Sequence, residues 1–202
     1  MKIYEKHHLK YKTIIGIDEV GRGAWAGPIV VAAVVLPKDY FNKAIKDSKQ
    51  LSMKKRKMLF KEIIEIAESY FIVFRSSKEV DQDNPKGSVV VAINEILKYF
   101  KTKTNDNYFA LIDGNDFKQT NYKYENIVKG DQKYLSIAAA SILAKVIRDE
   151  YMEELHKKYS LYFFHQNKGY GTANHLLALR KQGPCKYHRF SYKPIKNLQK
   201  ED

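Results

Sequence analysis

The chain has 202 residues, of which 44% are hydrophobic and 13% aromatic, so it can bury the core of one ordinary domain and is not an intrinsically disordered protein. The longest apolar run, residues 29–36, is far shorter than a membrane span, and the one cysteine, Cys185, excludes an internal disulfide. The formal net charge of +13 favours a polyanionic partner, because Lys and Arg side chains that neutralise phosphates release condensed counterions.

The basic charge also has a second interpretation. Of the 36 basic residues 30 are Lys, and the chain is rich in Ile, Asn and Tyr, so a bias in genome composition could produce the same excess. Charge alone therefore leaves a nucleic-acid partner and a compositional bias open. Residues 1–12 are charged and lack the apolar core of a secretory signal, so a cytoplasmic location without membrane association is expected.

Short apolar runs alternate along the chain with longer segments of helical spacing. Strands are predicted where β-branched and aromatic residues cluster, at residues 13–20, 29–36, 70–74, 108–112 and 124–128. Helices are predicted where apolar residues recur every three or four positions, at residues 52–69, 88–100, 135–158 and 172–182. The glycine-rich segment 21–27 is short enough to join the first two strands as an antiparallel pair. This order indicates an α/β protein with a mixed sheet flanked by helices.

Carboxylates follow the apolar part of several predicted strands. Asp18 and Glu19 end the first strand, Asp113 follows the strand at 108–112, and Asp131 precedes the longest helix. Clustered carboxylates repel one another, and a hard divalent cation such as Mg²⁺ or Mn²⁺ would neutralise them. Such a cluster predicts a metal site suited to phosphodiester hydrolysis. Solvation of the strand end is the alternative for Asp18 and Glu19, and a helix N-cap is the alternative for Asp131.

The segment 21–26 also matches the G-x-G-x-x-G/A fingerprint of dinucleotide-binding proteins. That fingerprint requires its glycines to open a helix whose N-terminus binds pyrophosphate. Here the β-branched run 29–35 follows Pro28 and favours a strand instead. A nucleotide-dependent oxidoreductase is therefore disfavoured.

Seven motifs in this chain resemble those of bacterial-type ribonuclease HII, in the family's order and across residues 14–192. They lie at residues 16–28, 47–52, 111–115, 129–131, 136–149, 168–172 and 188–189. The resemblance implies a ribonuclease H-like fold with a five-stranded mixed sheet. It also implies one catalytic domain over residues 1–202, in which residues 161–202 form a helical C-terminal extension that contacts substrate.

The resemblance assigns roles to individual residues. It implies that Asp18, Glu19, Asp113 and Asp131 are the catalytic metal ligands, for Mn²⁺ or Mg²⁺ and with two ions during catalysis. It implies that the turn formed by Gly21, Arg22 and Gly23 recognises the 2′-hydroxyl of a ribonucleotide, and that Tyr170 packs against the nucleotide on the DNA side of the junction. The candidates for phosphate contacts are basic motif residues, with Lys49 the best placed by motif, and each could instead be a solvated surface charge; they are Lys49, Lys168, Lys145, Arg148 and Arg189.

The implied activity is endonucleolytic hydrolysis of the RNA strand of RNA–DNA hybrids. Cleavage 5′ of single ribonucleotides in duplex DNA, leaving 3′-hydroxyl and 5′-phosphate ends, follows from the HII type, and so does a monomeric protein. The related HIII type carries an extra N-terminal domain, for which no room is expected before residue 13. Asn167, Gln50 and Tyr192 depart from the family's usual residues, which leaves substrate affinity open. A non-catalytic basic nucleic-acid-binding module is the alternative, although four carboxylates would repel its polyanionic partner.

Overall fold

The structure is a computed structural model that describes residues 11–45, 51–115 and 117–198. Five strands form one sheet in the spatial order β3-β2-β1-β4-β5. Their bounds are β1 Thr13–Val20, β2 Ile29–Val35, β3 Ser69–Arg75, β4 Tyr108–Asp113 and β5 Tyr124–Ile127. The strands β1, β2 and β3 pair antiparallel, whereas β4 runs parallel to both β1 and β5. The predicted five-stranded mixed sheet is confirmed.

Seven α-helices accompany this sheet within the described ranges. They are α1 Met53–Ile66, α2 Ser77–Lys103, α3 Gly130–Lys133, α4 Leu135–Lys158, α5 Phe164–Asn167, α6 Ala173–Gln182 and α7 Lys193–Leu198. A 3₁₀ turn over Ser160–Tyr162 joins α4 to α5. The bounds predicted for α4 are confirmed, and the helices at 52–69 and 172–182 begin one residue after the predicted start, because Ser52 and Thr172 are their N-caps. No helix in the described segments is long and apolar enough to cross a membrane.

The sheet is covered on both faces. On one face α2 packs through residues such as Val89, Ile93 and Leu97, and on the other α4 and α1 pack through residues such as Ile142 and Leu59. The helix α4 lies very close to β1 at Gly16, where a Cβ would come within 2.1 Å of the Ser136 backbone carbon. Glycine at this position lets α4 pack directly beneath the strand that carries Asp18 and Glu19.

The start predicted for the helix at residues 88–100 is wrong. The helix begins at Ser77, where Ser76 and Glu79 form a reciprocal capping box, and it kinks at Asn84, which has a φ of 59° just before Pro85. Proline removes a backbone donor and restricts its predecessor, so the Asn-Pro pair divides α2 into two helical stretches.

The segment after α4 folds back onto the turn between β1 and β2. Its apolar side chains, among them Tyr162, Phe164 and Ile195, form a cluster with Ala26 and Met152, and Trp25 packs against it. The helical character expected of this C-terminal segment is confirmed, although α5 and α7 are short helices that hydrophobic periodicity did not predict.

Candidate active site

The four predicted carboxylates line one cleft at the carboxyl end of β1 and β4. The parallel register of these strands ends with Ile17 opposite Ile112, so Asp18 and Asp113 are the next residues on neighbouring strands. We call this space, which has a volume of about 390 Å³, the carboxylate cleft. It is lined by Asp18, Glu19, Val20, Asp113, Asp131, Ser141, Lys145 and Tyr170.

Asp131 reaches the cleft from a helix that the sequence analysis did not predict. It lies in the single turn α3, which precedes α4, and Tyr134 is the N-cap residue of α4. The alternative role of Asp131 as the N-cap of the long helix is therefore wrong. Lys129 adopts a left-handed conformation with φ 55°, which turns the chain from β5 into α3 and places Asp131 beside the sheet edge.

The carboxylates in the cleft repel one another. The pKa of Asp18 is raised well above its ordinary value, first by burial and then by the neighbouring charges of Glu19 and Asp113. A hydrogen bond with the Ser141 hydroxyl opposes that shift only in part. Burial also raises the pKa of Glu19, against the opposing charge of Arg22, whose Nη1 lies 3.4 Å from Glu19 Oε1.

Hydrogen bonds keep two of these carboxylates directed toward the backbone. Asp18 Oδ1 accepts the N–H of Glu19 at 2.7 Å, and Asp113 Oδ1 accepts the N–H of Gly130 at 2.6 Å. Across the described residues, no group of three or more His, Cys, Asp or Glu side chains is already arranged to hold a metal ion. The donor set is nevertheless the one that Mg²⁺ and Mn²⁺ prefer, because all four groups are carboxylates.

Two further side chains in the cleft come from one face of α4. Ser141 and Lys145 are four residues apart, which places them one helical turn apart beside Asp18. Lys145 was expected as a phosphate contact, whereas Ser141 was not identified, although its spacing from Lys145 could have indicated it. The Lys145 ammonium pairs with Asp149 Oδ1 at 2.7 Å, and burial lowers the pKa of this Lys.

The segment 21–28 joins β1 to β2, and we call it the glycine turn. Arg22 and Gly23 are exposed at its tip, and Gly21 is buried beneath them. The Gly23 N–H has no hydrogen-bond partner among the described residues. The chain then enters β2 at Ile29 and forms no helix, which confirms that the dinucleotide fingerprint is a chance match.

Tyr170 lines the carboxylate cleft from the opposite side. Its loop is held by Asn167, whose Nδ2 donates to the Tyr162 carbonyl at 2.7 Å and whose Oδ1 accepts the Gly169 N–H at 2.7 Å. Asn167, which departs from the family's usual residue, therefore has a structural role. Lys168, next in the chain, directs its ammonium to Glu153 Oε1 at 2.7 Å, an arrangement that gives no support to a direct phosphate contact.

Two of the expected phosphate contacts are wrong. Arg148 and Arg189 are both 0% exposed, so neither guanidinium reaches a substrate phosphate. Lys49 and Gln50 lie outside the described residues.

The family model for ribonuclease HII matches residues 15–195. The ribonuclease HII of Mycoplasma mycoides subsp. mycoides SC is 46% identical over 196 residues, which cover 96% of this chain and 92% of the relative.

Two solved structures share the fold. The ribonuclease HII of Archaeoglobus fulgidus, solved as a complex with PCNA, has a TM-score of 0.69 and 29% identity, covering 90% of this chain and 95% of that one. Bst-RNase HIII in complex with Mn²⁺ has a TM-score of 0.70 and 20% identity, covering 96% of this chain and 71% of that one. These likenesses confirm the ribonuclease H-like fold, and the family match favours an enzyme over a non-catalytic binding module. The chain therefore belongs to the ribonuclease HII family of metal-dependent ribonucleases H.

Proposed function

We propose that this ribonuclease H cuts the RNA strand of RNA–DNA hybrids and also cuts duplex DNA on the 5′ side of a single embedded ribonucleotide. Its products would carry 3′-hydroxyl and 5′-phosphate ends. The observation that carries the proposal is the shared position of Asp18, Glu19, Asp113, Asp131 and Tyr170 around one cleft. The exposed glycine turn begins directly after Val20, another cleft residue, so a group that reads the sugar adjoins groups suited to hydrolysis.

The four carboxylates would hold the divalent cations. Four acidic side chains in one cleft supply hard oxygen donors, and burial raises the pKa values of Asp18 and Glu19, with further repulsion from Asp113, despite the nearby charge of Arg22. Two Mg²⁺ or Mn²⁺ ions bound there would activate water and stabilise the leaving oxygen. The Mn²⁺ complex of Bst-RNase HIII supports such binding in a protein of the same fold.

The chain's own residues would bind and orient the substrate. The Gly23 N–H is exposed and can donate to a ribose 2′-hydroxyl, which is the group that distinguishes RNA from DNA. The Tyr170 ring offers a flat surface to the nucleotide after the junction, and such packing tolerates any base. The Lys145 ammonium, at the cleft wall, can exchange part of its pairing with Asp149 for a phosphate oxygen.

Several expectations that surround this function stay predictions. Residues 161–202 are proposed to act as a substrate-contacting extension of a single catalytic domain, which the packing of Tyr162 and Phe164 beside Ala26 of the glycine turn supports. The cytoplasmic location and the monomeric state also stay predictions, as do the roles of Lys49 and Lys168 in substrate binding.

The test is cleavage of a DNA duplex that contains one ribonucleotide, with Mg²⁺, with Mn²⁺ and with chelator. An all-DNA duplex of the same sequence is the control, and a continuous RNA–DNA hybrid is the second substrate. Metal-dependent cleavage 5′ of the ribonucleotide supports the proposal. Cleavage of the hybrid alone would keep the nuclease and contradict the junction activity, and cleavage of neither would overturn both.

A further inference from the structure

Two arginines lie completely buried beneath the glycine turn. Arg148 of α4 and Arg189 of the loop before α7 are 0% exposed. Burial lowers the pKa of Arg148 to about 10, so its guanidinium is still cationic at neutral pH. In the described part of the chain, no carboxylate lies within 4.0 Å of either guanidinium. A buried charge without an ionic partner is costly, and this pair therefore calls for an explanation.

Backbone carbonyls of the glycine turn take the place of that partner for Arg189. Its Nη1 donates to the Gly21 carbonyl at 2.7 Å and to the Arg22 carbonyl at 3.0 Å. Its Nε and Nη2 both donate to the Gly27 carbonyl, at 3.1 and 2.8 Å. One planar guanidinium thus connects the two ends of the turn.

Arg148 holds the same turn from the side of α4. Its Nε donates to the Pro28 carbonyl at 2.8 Å and its Nη2 to the Ala26 carbonyl at 3.2 Å. Its Nη1 donates to the Lys168 carbonyl at 2.9 Å, and the guanidinium carbon lies 5.2 Å from the centre of the Tyr170 ring. Arg148 therefore links the glycine turn to the loop that carries Tyr170.

The turn fits tightly onto these arginines. A Cβ at Gly21, whose φ is +99°, would come within 2.4 Å of Arg148 Nε. Five carbonyls of the turn, those of residues 21, 22, 26, 27 and 28, accept from the two guanidiniums, while the Gly23 N–H stays exposed. The arginines thus fix the backbone on the buried side and leave the donor at the tip for a ligand.

We propose that Arg148 and Arg189 are positioning residues that set ribonucleotide recognition by holding the glycine turn and the Tyr170 loop in one arrangement. This inference rests on the proposed function, because the turn is the element that would read the 2′-hydroxyl. Lysine cannot replace either residue, since an ammonium is a point charge and cannot donate along the fixed directions of a planar fork.

The first test compares Arg148→Lys and Arg189→Lys with the wild-type protein on the single-ribonucleotide duplex. Each variant keeps the positive charge but loses the planar guanidinium and its fixed donor directions. The kcat is therefore expected to fall about 10- to 100-fold, while KM changes less than about threefold. The ratio of the affinity for the single-ribonucleotide duplex to the affinity for the all-DNA duplex is expected to fall together with kcat. Arg180→Lys, on the exposed side of α6, is the matched control and is expected to behave as wild type.

Two further measurements separate positioning from phosphate binding. Amide hydrogen exchange at residues 24, 25 and 27, whose N–H groups are hydrogen-bonded, is expected to become faster in both variants. Arg148→Gln and Arg189→Gln, which also remove the charge, are expected to keep the slope of the salt dependence of duplex binding, and a higher KM with a slope smaller by about 0.9 would instead make either arginine a phosphate ligand and overturn the proposal. Unchanged kcat and unchanged exchange would overturn it as well.

Tyr192→Phe gives a milder variant in case the arginine variants do not fold. The Tyr192 hydroxyl donates to the Arg22 carbonyl and accepts from Arg189 Nη1 at 2.8 Å, so its removal loosens the same contacts and keeps the ring. Faster exchange at residues 24, 25 and 27 is expected, and unchanged exchange would contradict the proposal. If the wild-type protein does not cut at a ribonucleotide, the proposed function fails, whereas the exchange rates still decide whether the arginines hold the turn.

Discussion

The glycine turn and the carboxylate cleft adjoin at the end of β1, yet the protein organises them in opposite ways. Two buried guanidiniums hold the backbone of the turn, so it is arranged before any ligand arrives. In the cleft, like charges meet, and one oxygen of Asp18 and one of Asp113 each accept a backbone N–H. The element proposed to read the sugar is fixed by the fold, whereas the carboxylates proposed to carry out hydrolysis would need a cation to assemble.

This difference has a physical reason. A neutral backbone can be fixed by cationic donors with little cost beyond their burial, because every carbonyl gains a charge-assisted hydrogen bond. Four carboxylates can be fixed in the same manner only if enough positive charge is present. Arg22 pairs with Glu19, one of the four, whereas Lys145 pairs with Asp149, which is outside that set. The free energy of the repulsion is therefore released when a divalent ion binds.

The largest expected effect comes from removing one of the repelling charges. Asp18→Asn should reduce cleavage at least about 1000-fold, because it weakens cation binding in the cleft. Binding to the duplex should be retained or improved, since a negative charge near phosphate is removed. The free energy of unfolding in chelator should rise, because the remaining carboxylates repel less.

Single-turnover cleavage, duplex binding and denaturant melts measure these three changes. Glu95→Gln, on the exposed side of α2, removes a negative charge far from the cleft and should leave all three unchanged. Cleavage by Asp18→Asn at the wild-type rate would show that the cleft is not the hydrolytic site. Lower stability in chelator would show that Asp18 is not repelled by its neighbours.

Like the glycine turn, the loop that carries Tyr170 is held by buried side chains, in this case by a pair of histidines. His175 Nε2 and His188 Nε2 lie 3.0 Å apart, His175 Nδ1 faces the Tyr170 carbonyl at 2.9 Å, and the Cys185 N–H donates to His188 Nδ1 at 2.9 Å. Burial, and then the neighbouring His175, lowers the pKa of His188 to about 4. Two neutral rings thus support the loop of Tyr170 from below.

Acid should break this support. Between pH 6.5 and about 4 the unfolded chain binds a proton at His188 that the folded protein does not, so the free energy of unfolding falls as pH falls. The loss should reach about 3 kcal/mol, at about 1.4 kcal/mol for each pH unit. His175, whose pKa burial also lowers, acts in the same direction.

Denaturant melts of wild type and His188→Gln across this range test the prediction. The raised pKa values of Asp18 and Glu19 act in the opposite direction, because their protonation stabilises the fold, but they contribute equally to both proteins and cancel in the difference. His165→Gln, an exposed histidine, is the control. Parallel pH curves for wild type and His188→Gln would contradict the buried neutral pair.

The cleft could be predicted from the sequence because its signals are local. Asp18 and Asp113 each end an apolar strand, and the carboxyl ends of parallel strands meet at one sheet edge. The position of Asp131 followed from its motif, whereas the helix turn that carries it did not, since four residues are too few to show a period.

The support of the glycine turn could not be predicted. Arg148 bonds a carbonyl 120 residues away in the chain and Arg189 one 162 residues away, and a backbone carbonyl has no side-chain signature. A basic residue in a basic chain therefore suggested a phosphate contact. The start of α2 had a local signal, the Ser76 and Glu79 capping box, but the helix predicted from apolar spacing began only at residue 88, after the kink at Asn84 and Pro85.

The smallest expected effect lies where the two regions meet, at Tyr170, which lines the cleft and whose ring lies over Arg148. Tyr170→Ala should slow junction cleavage about tenfold, because stacking of one base on an aromatic ring contributes about 1–3 kcal/mol. Binding to a plain duplex should change less, and Tyr70→Ala, an exposed tyrosine of β3, serves as control. Equal losses in junction cleavage and in plain-duplex binding would mean that Tyr170 contributes affinity for any duplex. The part of the site that is arranged for ribonucleotide recognition would then be limited to the glycine turn.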